Sequence, residues 1–466
     1  MLDTHASFRT HWVGNELAHA QLRDRRLIKR LLSVTADFAE HPTASIPQAC
    51  GSWGRTKAAY RFFDNDAVEP EAILAAHRQA TLQRMAAHPV VLCVQDTSAL
   101  NYSTHPRTRG LGPIAHNRDK TLGLFLHATL ALSPAGQALG LLQAQTWART
   151  GRHFGRSSHQ RNRTPRAQKE SQKWLESLSA CQRVAAQCAG TMLVNLADRE
   201  GDLYDLFQQA LGPTGGPAVH LLVRAQHNRQ VAHRQKHLWD WLAAQACGGE
   251  LEIKVPRQEG QPQRLARLAI RFGAVTLRPP CLKEDQGPVS LWAVEARQVE
   301  PVPGAKPICW RLLTTLPVNS VQEAIQKVEW YAQRWQIEVL HKVLKSGCRI
   351  EQRQLETTAR LRRVLMVDLI VAWRVMSLSK AARQTPEAPA SDWLGPAEWQ
   401  ALWCYYQRQA RPPRHSPSLS QAVRWIAQLG GFLARRSDGE PGPIVLWRGL
   451  RQLQSITAAW RRFGHA

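Results

Sequence analysis

Val90-Val91-Leu92-Cys93-Val94-Gln95-Asp96 is an unbroken apolar run closed by an acid. A short run of this kind, without polar alternation, reads as a strand buried on both faces, and the end of such a strand is where sites form. Met192-Leu193-Val194-Asn195-Leu196-Ala197 has the same character and is again closed by an acid, Asp198. Between the two lie Leu122 to Leu132 and Ala138 to Gln145, joined by Ser133-Pro134-Ala135-Gly136, which predicts a hairpin. A helix is expected near 167 to 188, another at about 201 to 211, and a strand at His220 to Arg224.

Three strands, helix, strand, helix, strand and, after a long interval, a helix is the element order of an RNase H-like fold, in the α/β class. The interval, 214–317, has strand-like alternation at Leu251 to Val255, Leu265 to Leu277, Val289 to Glu295 and Trp310 to Thr314, and reads as a β-rich insertion. The expected organisation is a helical DNA-binding domain at 1–75, a catalytic core at 76–213 and 318–376 split by the insertion, and a helical C-terminal domain at 377–466. In the first of these, Arg25-Arg26-Leu27-Ile28-Lys29-Arg30-Leu31-Leu32 puts four cations on one helical arc and four aliphatic residues on the other. Such a helix can pack on a core and face phosphates, so Arg25, Arg26, Lys29 and Arg30 are candidate DNA contacts; a solvated surface helix would read the same.

The helix that closes the core carries Tyr331, Arg334, Glu338 and Lys345, spaced by three, four and seven residues. At roughly 100° per residue these project within an arc of about 60°, with Ile337, Leu340 and Leu344 opposite. An acid fixed among cations and a phenol calls for an anion or a metal. Two strand-terminal acids and one helix-borne acid suggest a carboxylate cluster for Mg²⁺, which takes oxygen ligands and is held by few carboxylates together with substrate phosphate. Two such ions about 4 Å apart can activate a water and stabilise the leaving oxygen of a phosphodiester.

Composition points the same way. The 466 residues hold 61 Lys and Arg against 36 Asp and Glu, a net charge of +25, which fits a polyanion partner. Nine scattered cysteines without a C-x-x-C pair argue against a zinc ribbon or a disulfide framework. There is no apolar leader and no run of ~18 apolar residues, so a cytoplasmic protein is expected, with no membrane partner. His233 and His237 have a metal-site spacing but lack an evident third ligand, and read as surface histidines.

The pattern Tyr331-x-x-Arg334-x-x-x-Glu338-x6-Lys345, with Asp96 in Val94-Gln95-Asp96-Thr97 and Asp198 in Ala197-Asp198-Arg199-Glu200, is similar to the signature of DDE transposases of the bacterial insertion-sequence IS-four family, the Tn-five type. The resemblance extends over nearly the whole chain, through Asp24-Arg25-Arg26-Leu27, Lys57-Ala58-Ala59-Tyr60-Arg61-Phe62-Phe63, Leu429-Gly430-Gly431-Phe432 and Leu446-Trp447-Arg448-Gly449-Leu450. It implies cut-and-paste transposition: nicking at transposon ends, a hairpin intermediate, and strand transfer into target DNA by a nucleoid-associated homodimer. It implies that Asp96, Asp198 and Glu338 are the catalytic acids and hold two Mg²⁺ ions, with Mn²⁺ as a substitute. It implies that Tyr331, Arg334 and Lys345, together with His341 and Lys342 on the same helix, grip DNA, and that Trp310 stacks a flipped base. Arg224 matches a DNA-contacting cation of the insertion, although Gln226 stands where the Tn-five type has a lysine. Between Arg149 and Lys169 there are seven Arg or Lys and no acid, where the Tn-five type is acidic, and that loop either tracks DNA or is merely solvated. The expected partner is double-stranded DNA, both terminal inverted repeats and target. The alternative readings are a catalytically inactive DNA-binding regulator derived from a transposase, and a structure-selective nuclease.

Overall fold

The computed structural model describes residues 11–115, 121–150, 169–212, 218–232, 237–255, 264–300, 302, 307–435 and 438–463. His233 and residues 151–168 of the basic loop therefore lie outside the described residues. The chain opens with the helices α1 (His11–Glu16), α2 (Arg25–Glu40), α3 (Ile46–Cys50), α4 (Trp53–Asp64) and α5 (Pro70–Met85). The strands β1 (Val90–Asn101), β2 (Gly112–Pro113), β3 (Leu122–Leu132) and β4 (Ala138–Trp147) follow. Next come α6 (Gln172–Ala185), β5 (Met192–Ala197), α7 (Tyr204–Leu211), β6 (His220–Arg224) and α8 (Leu238–Ala243). The strands β7 (Gly249–Val255), β8 (Arg264–Leu277), β9 (Val289–Gln298) and β10 (Cys309–Thr314) lead to α9 (Val321–Ala332), α10 (Trp335–Lys342), α11 (Thr358–Gln384), α12 (Pro396–Gln407), α13 (Leu419–Leu429) and α14 (Pro443–Phe463). The expected boundaries at 75 and 376 fall inside α5 and α11.

The chain divides into two compact units, one of Met1–Ala87, Thr97–Ser157 and Gln336–Ala466, the other of His88–Asp96 and Ser158–Trp335. In the first, β3 and β4 form the expected antiparallel hairpin, with Gly136 at φ 83° in its turn, a conformation that glycine adopts without penalty. In the second, the opening half of β1 pairs in parallel with β5, β5 pairs in parallel with β6, and β10, β9, β8 and β7 continue as an antiparallel meander. The strand order read through β1 is β2-β3-β1-β5-β6-β10-β9-β8-β7, with β4 on β3. The β1 strand thus lies between β3 and β5, its apolar run from Val91 to Val94 fully buried. No helix among the described residues is long and apolar enough to cross a membrane.

The first unit is organised around α11, a 27-residue helix buried along most of its length. Its Trp373 and Ser377 both donate to the Ala138 carbonyl of β4, at 3.0 and 3.1 Å. Its Arg363 donates to the carbonyls of Val68 and Phe63 at 2.8 and 2.9 Å, and Arg360 bonds Asp64 at 2.6 Å. Arg353, just before α11, forms a two-pronged pair with Asp368 at 3.0 and 2.8 Å, donates to the Ala44 carbonyl at 2.7 Å and lies over the Phe38 ring at 4.3 Å. The amino-terminal helices are therefore held to α11 by arginines that spend their donors inside the protein. Farther along, α13 and α14 bury Leu419, Val423, Ile426, Leu446 and Leu453 against the end of α11.

Asp368 is fully buried and Arg353 is 3% exposed on its side chain, so removing one partner strands a charge. Asp368→Ala is expected to cost about 3–5 kcal/mol in urea denaturation, whereas the double replacement Arg353→Met with Asp368→Leu costs substantially less, because no unpaired ion remains.

Candidate active site

The parallel register of β1 on β5 runs from Val90 opposite Met192 to Val94 opposite Leu196. Carried two residues further, it sets Asp96 level with Asp198. Residues level on adjacent parallel strands, about 4.8 Å apart, direct their side chains to the same face. Asp198 ends β5 and caps the 3₁₀ turn Arg199–Gly201, its carboxylate accepting the Glu200 amide at 2.8 Å. Glu200 points away into an exposed ion pair with Lys173 at 2.9 Å.

Arg334 donates to the Asp96 carboxylate at 3.3 Å, with both side chains largely sheltered. Tyr331 precedes it and is 5% exposed, its ring edge-on to Trp310 with centroids 5.7 Å apart. Burial pushes the Tyr331 phenol up from its ordinary value; the Arg334 and Arg224 charges oppose this and the Asp198 charge adds to it. Those influences place Arg224, Arg334 and Asp198 around one phenol. Arg224, at the end of β6, also donates to the Cys309 carbonyl at 3.3 Å. The second unit thus holds Asp96 in β1, Asp198 after β5, Arg224 in β6, Trp310 in β10, Tyr331 in α9 and Arg334 in the turn that follows it.

Asp202 is a residue that sequence reasoning passed over. It is 1% exposed and accepts the amides of Gln226 and His227 at 2.7 and 2.8 Å and the Arg229 guanidinium at 2.6 Å, fixing the chain as it leaves β6 beyond Arg224. The signal was present in Asp198-Arg199-Glu200-Gly201-Asp202, since a Cβ added to Gly201 would lie 2.4 Å from the Ala197 Cβ. That glycine lets the chain fold back tightly enough for Asp202 to turn inward.

The helix expected to carry Tyr331, Arg334, Glu338 and Lys345 on one face is not continuous. The Gln333 and Arg334 amides bond the carbonyls of Trp330 and Tyr331, each at 3.0 Å and three residues back, which ends α9 before α10 begins at Trp335. Lys345 stands in a π turn, Val343–Gly347, closed by the Cys348 amide on the Val343 carbonyl at 3.0 Å.

In the first unit, Glu338 is half-buried on α10, and Lys342 is exposed. Lys345 lies 3.9 Å from Glu351, whose carboxylate also accepts the Asn101 amide at 2.8 Å. His341, expected as a DNA contact, lies near the end of α10. It is 7% exposed, and burial, with Lys345 adding repulsion, pushes its pKa down to about 4, so it is a neutral inward ring. On α2, Arg25, Arg26 and Lys29 are exposed and Arg30 is half-buried, while Leu31, Val34 and Phe38 are buried; Asp24 caps the helix through the Arg26 amide at 2.8 Å.

Asp96 does not close β1 as expected, since the strand runs on to Asn101, whereas Asp198 directly follows β5; carboxylates suit a hard divalent cation in donor chemistry. Among the described residues, no three His, Cys, Asp or Glu side chains converge as a metal site.

The buried state of His341 has a measurable consequence. A histidine whose folded pKa lies below its unfolded value costs stability as the pH falls from about 6.5 toward 4, because the unfolded chain takes the proton first. His341→Leu is expected to flatten the decline of the urea midpoint across that window, and the NMR titration of His341 in the native protein should centre near pH 4.

Three known families match segments of the chain. Residues 9–68 match the family described as transposase DNA-binding, and residues 370–463 match the transposase Tn5 dimerisation domain. A solved structure, the piggyBac transposase synaptic complex with hairpin DNA, aligns at 10% identity and TM-score 0.36, covering 82% of this chain and 74% of its own. Residues 139–373, half of the chain, match the transposase DDE domain, whose core is RNase H-like. The chain therefore belongs to the DDE transposases, a Tn5-like DNA transposase of the IS4 family with helical regions on either side of its α/β core.

Proposed function

We propose that the chain catalyses cut-and-paste transposition: metal-dependent nicking at transposon ends, passage through a hairpin, and transfer of the freed 3′ hydroxyl into target DNA. The observation that supports this best is the parallel pairing of β1 with β5 up to Val94 opposite Leu196, a register that, continued two residues, brings Asp96 within β1 level with Asp198 just past the end of β5. In this reading Asp96, Asp198 and Glu338 hold two Mg²⁺ ions, or Mn²⁺ in their place. When bound, such ions supply an activated hydroxyl and charge neutralisation at the leaving oxygen.

The chain's own side chains have distinct tasks. Without DNA, Arg334 neutralises Asp96. When a phosphate arrives, its guanidinium transfers to the phosphate oxygens, to which a planar two-donor cation is well matched. Tyr331 donates its hydroxyl to the same backbone, and the burial that keeps the phenol protonated keeps it a donor. Lys342 and Lys345 approach neighbouring phosphates, and Arg224 holds the strand that passes the insertion. Trp310, relieved of Tyr331, takes an extruded base on its face. The exposed Arg25, Arg26 and Lys29, with Arg30 beside them, contact the terminal repeat. Two copies joined through their C-terminal helices pair the two ends, acting on bacterial DNA in the cytoplasm.

The test uses duplexes carrying the inverted repeats that bracket the coding region. Glu338→Ala is expected to abolish Mg²⁺-dependent nicking while leaving the mobility shift intact, and nicking that persisted would remove Glu338 from the chemistry. Arg334→Ala is expected to slow nicking by roughly a hundredfold. If the native protein binds these ends yet yields no product with Mg²⁺ or Mn²⁺, the chain is a DNA-binding regulator instead.

A further inference from the structure

Beneath the paired aspartates, on the other face of the same strands, runs a dry polar chain. Gln95 and Asn195 are both fully buried, and the Gln95 amide donates to the Asn195 side-chain oxygen. The Asn195 amide donates in turn to the Cys181 sulfur at 3.5 Å, on α6, which packs on β5. Cys93, level with Asn195 on β1, is likewise fully buried.

These are polar interruptions of otherwise apolar segments. From Val90 to Val94 and from Met192 to Ala197, every residue but Asn195 is apolar. An apolar strand buried on both faces specifies its register weakly, because a slipped alignment buries nearly the same surface. A buried amide pair ends that indifference. A slip of one residue turns Gln95 to the opposite face from Asn195, and a slip of two that moves Gln95 farther along β5 from Asn195 carries them out of reach. Either leaves buried amides unpaired at about 1–3 kcal/mol each. A slip would also take Asp96 out of level with Asp198.

We propose that Gln95 and Asn195 are positioning residues, whose buried amide pair selects the register of β1 on β5 that brings Asp96 and Asp198 level. The role rests on the reading of those aspartates as metal ligands, but the register itself can be observed independently.

The experiment compares Gln95→Leu/Asn195→Leu with the native protein. The double replacement removes both amides together and is expected to stay folded. Should it fail to fold, Gln95→Met/Asn195→Val, which likewise lacks the amide pair, takes its place. The expected result is a crystal structure with shifted or mixed β1–β5 register, calorimetric Mn²⁺ binding weakened about tenfold or more, and nicking reduced in parallel with a raised Mg²⁺ requirement. A folded variant with native register, or with native Mn²⁺ affinity, overturns the proposal. If the native protein cuts no DNA while the variant still shifts register and loses Mn²⁺ affinity, the positioning role stands and the assigned reaction falls.

Discussion

Two neighbouring strands, hydrogen-bonded in parallel from Val90 on Met192 to Val94 on Leu196, are the element on which the remaining arrangement depends. Their backbone ladder fixes the level of two carboxylates that are distant in sequence, and everything nearby either pins that ladder or manages its charge. The α6 helix covers β5, and the Gly201 turn brings Asp202 under the loop that follows β6. Two anionic groups on one face would repel, and Arg334 lies against one of them at 3.3 Å. An acid pair with an arginine in reserve is an arrangement matched to an incoming polyanion, since the same guanidinium can serve carboxylate or phosphate.

Much of this architecture could be read from the chain. The strands of the core contain continuous aliphatic runs, and a Ser-Pro-Ala-Gly turn joins two of them, so β1, the β3–β4 hairpin, β5 and β6 were evident, as was the β-rich character of the insertion. The level of Asp96 and Asp198 was not, because register depends on pairing rather than on either strand alone. The single helix expected over Tyr331 to Lys345 was not legible as the two it is, with three-residue bonds at Gln333 and Arg334 and a π turn at Val343–Gly347. No propensity in that stretch marks either break; both are tertiary. His341 shows the same limit, since spacing along a helix says which residues share a face and not whether that face is wet. Trp310 was singled out by resemblance among 17 tryptophans, and its contact with Tyr331 required the fold to bring β10 to α9.

The basic character of the chain also divides once the side chains are placed. Arg25, Arg26, Lys29 and Lys342 face solvent, where a cation retains its field. Arg353 and Arg363 are structural: the first is shared between Asp368, a carbonyl and an aromatic ring, the second between two carbonyls and Asp66. On the insertion, Arg271, Arg297 and Arg311 converge on the single buried Glu295, at 3.7, 2.9 and 2.8 Å. Arginine serves here as a fastener because its planar fork satisfies several acceptors at once and stays charged when buried.

That division bears on how the protein meets a nucleic acid in salt. The ionic-strength dependence of binding counts only the cations that displace condensed counterions, not the formal excess of +25. Arginines already saturated by carbonyls and carboxylates within the fold release none. The long-range attraction that brings the protein to DNA is consequently set by a smaller population of surface cations than the composition implies. The internal arginines, being insensitive to salt, keep the amino-terminal helices seated on α11 under conditions that would strip the protein from its substrate.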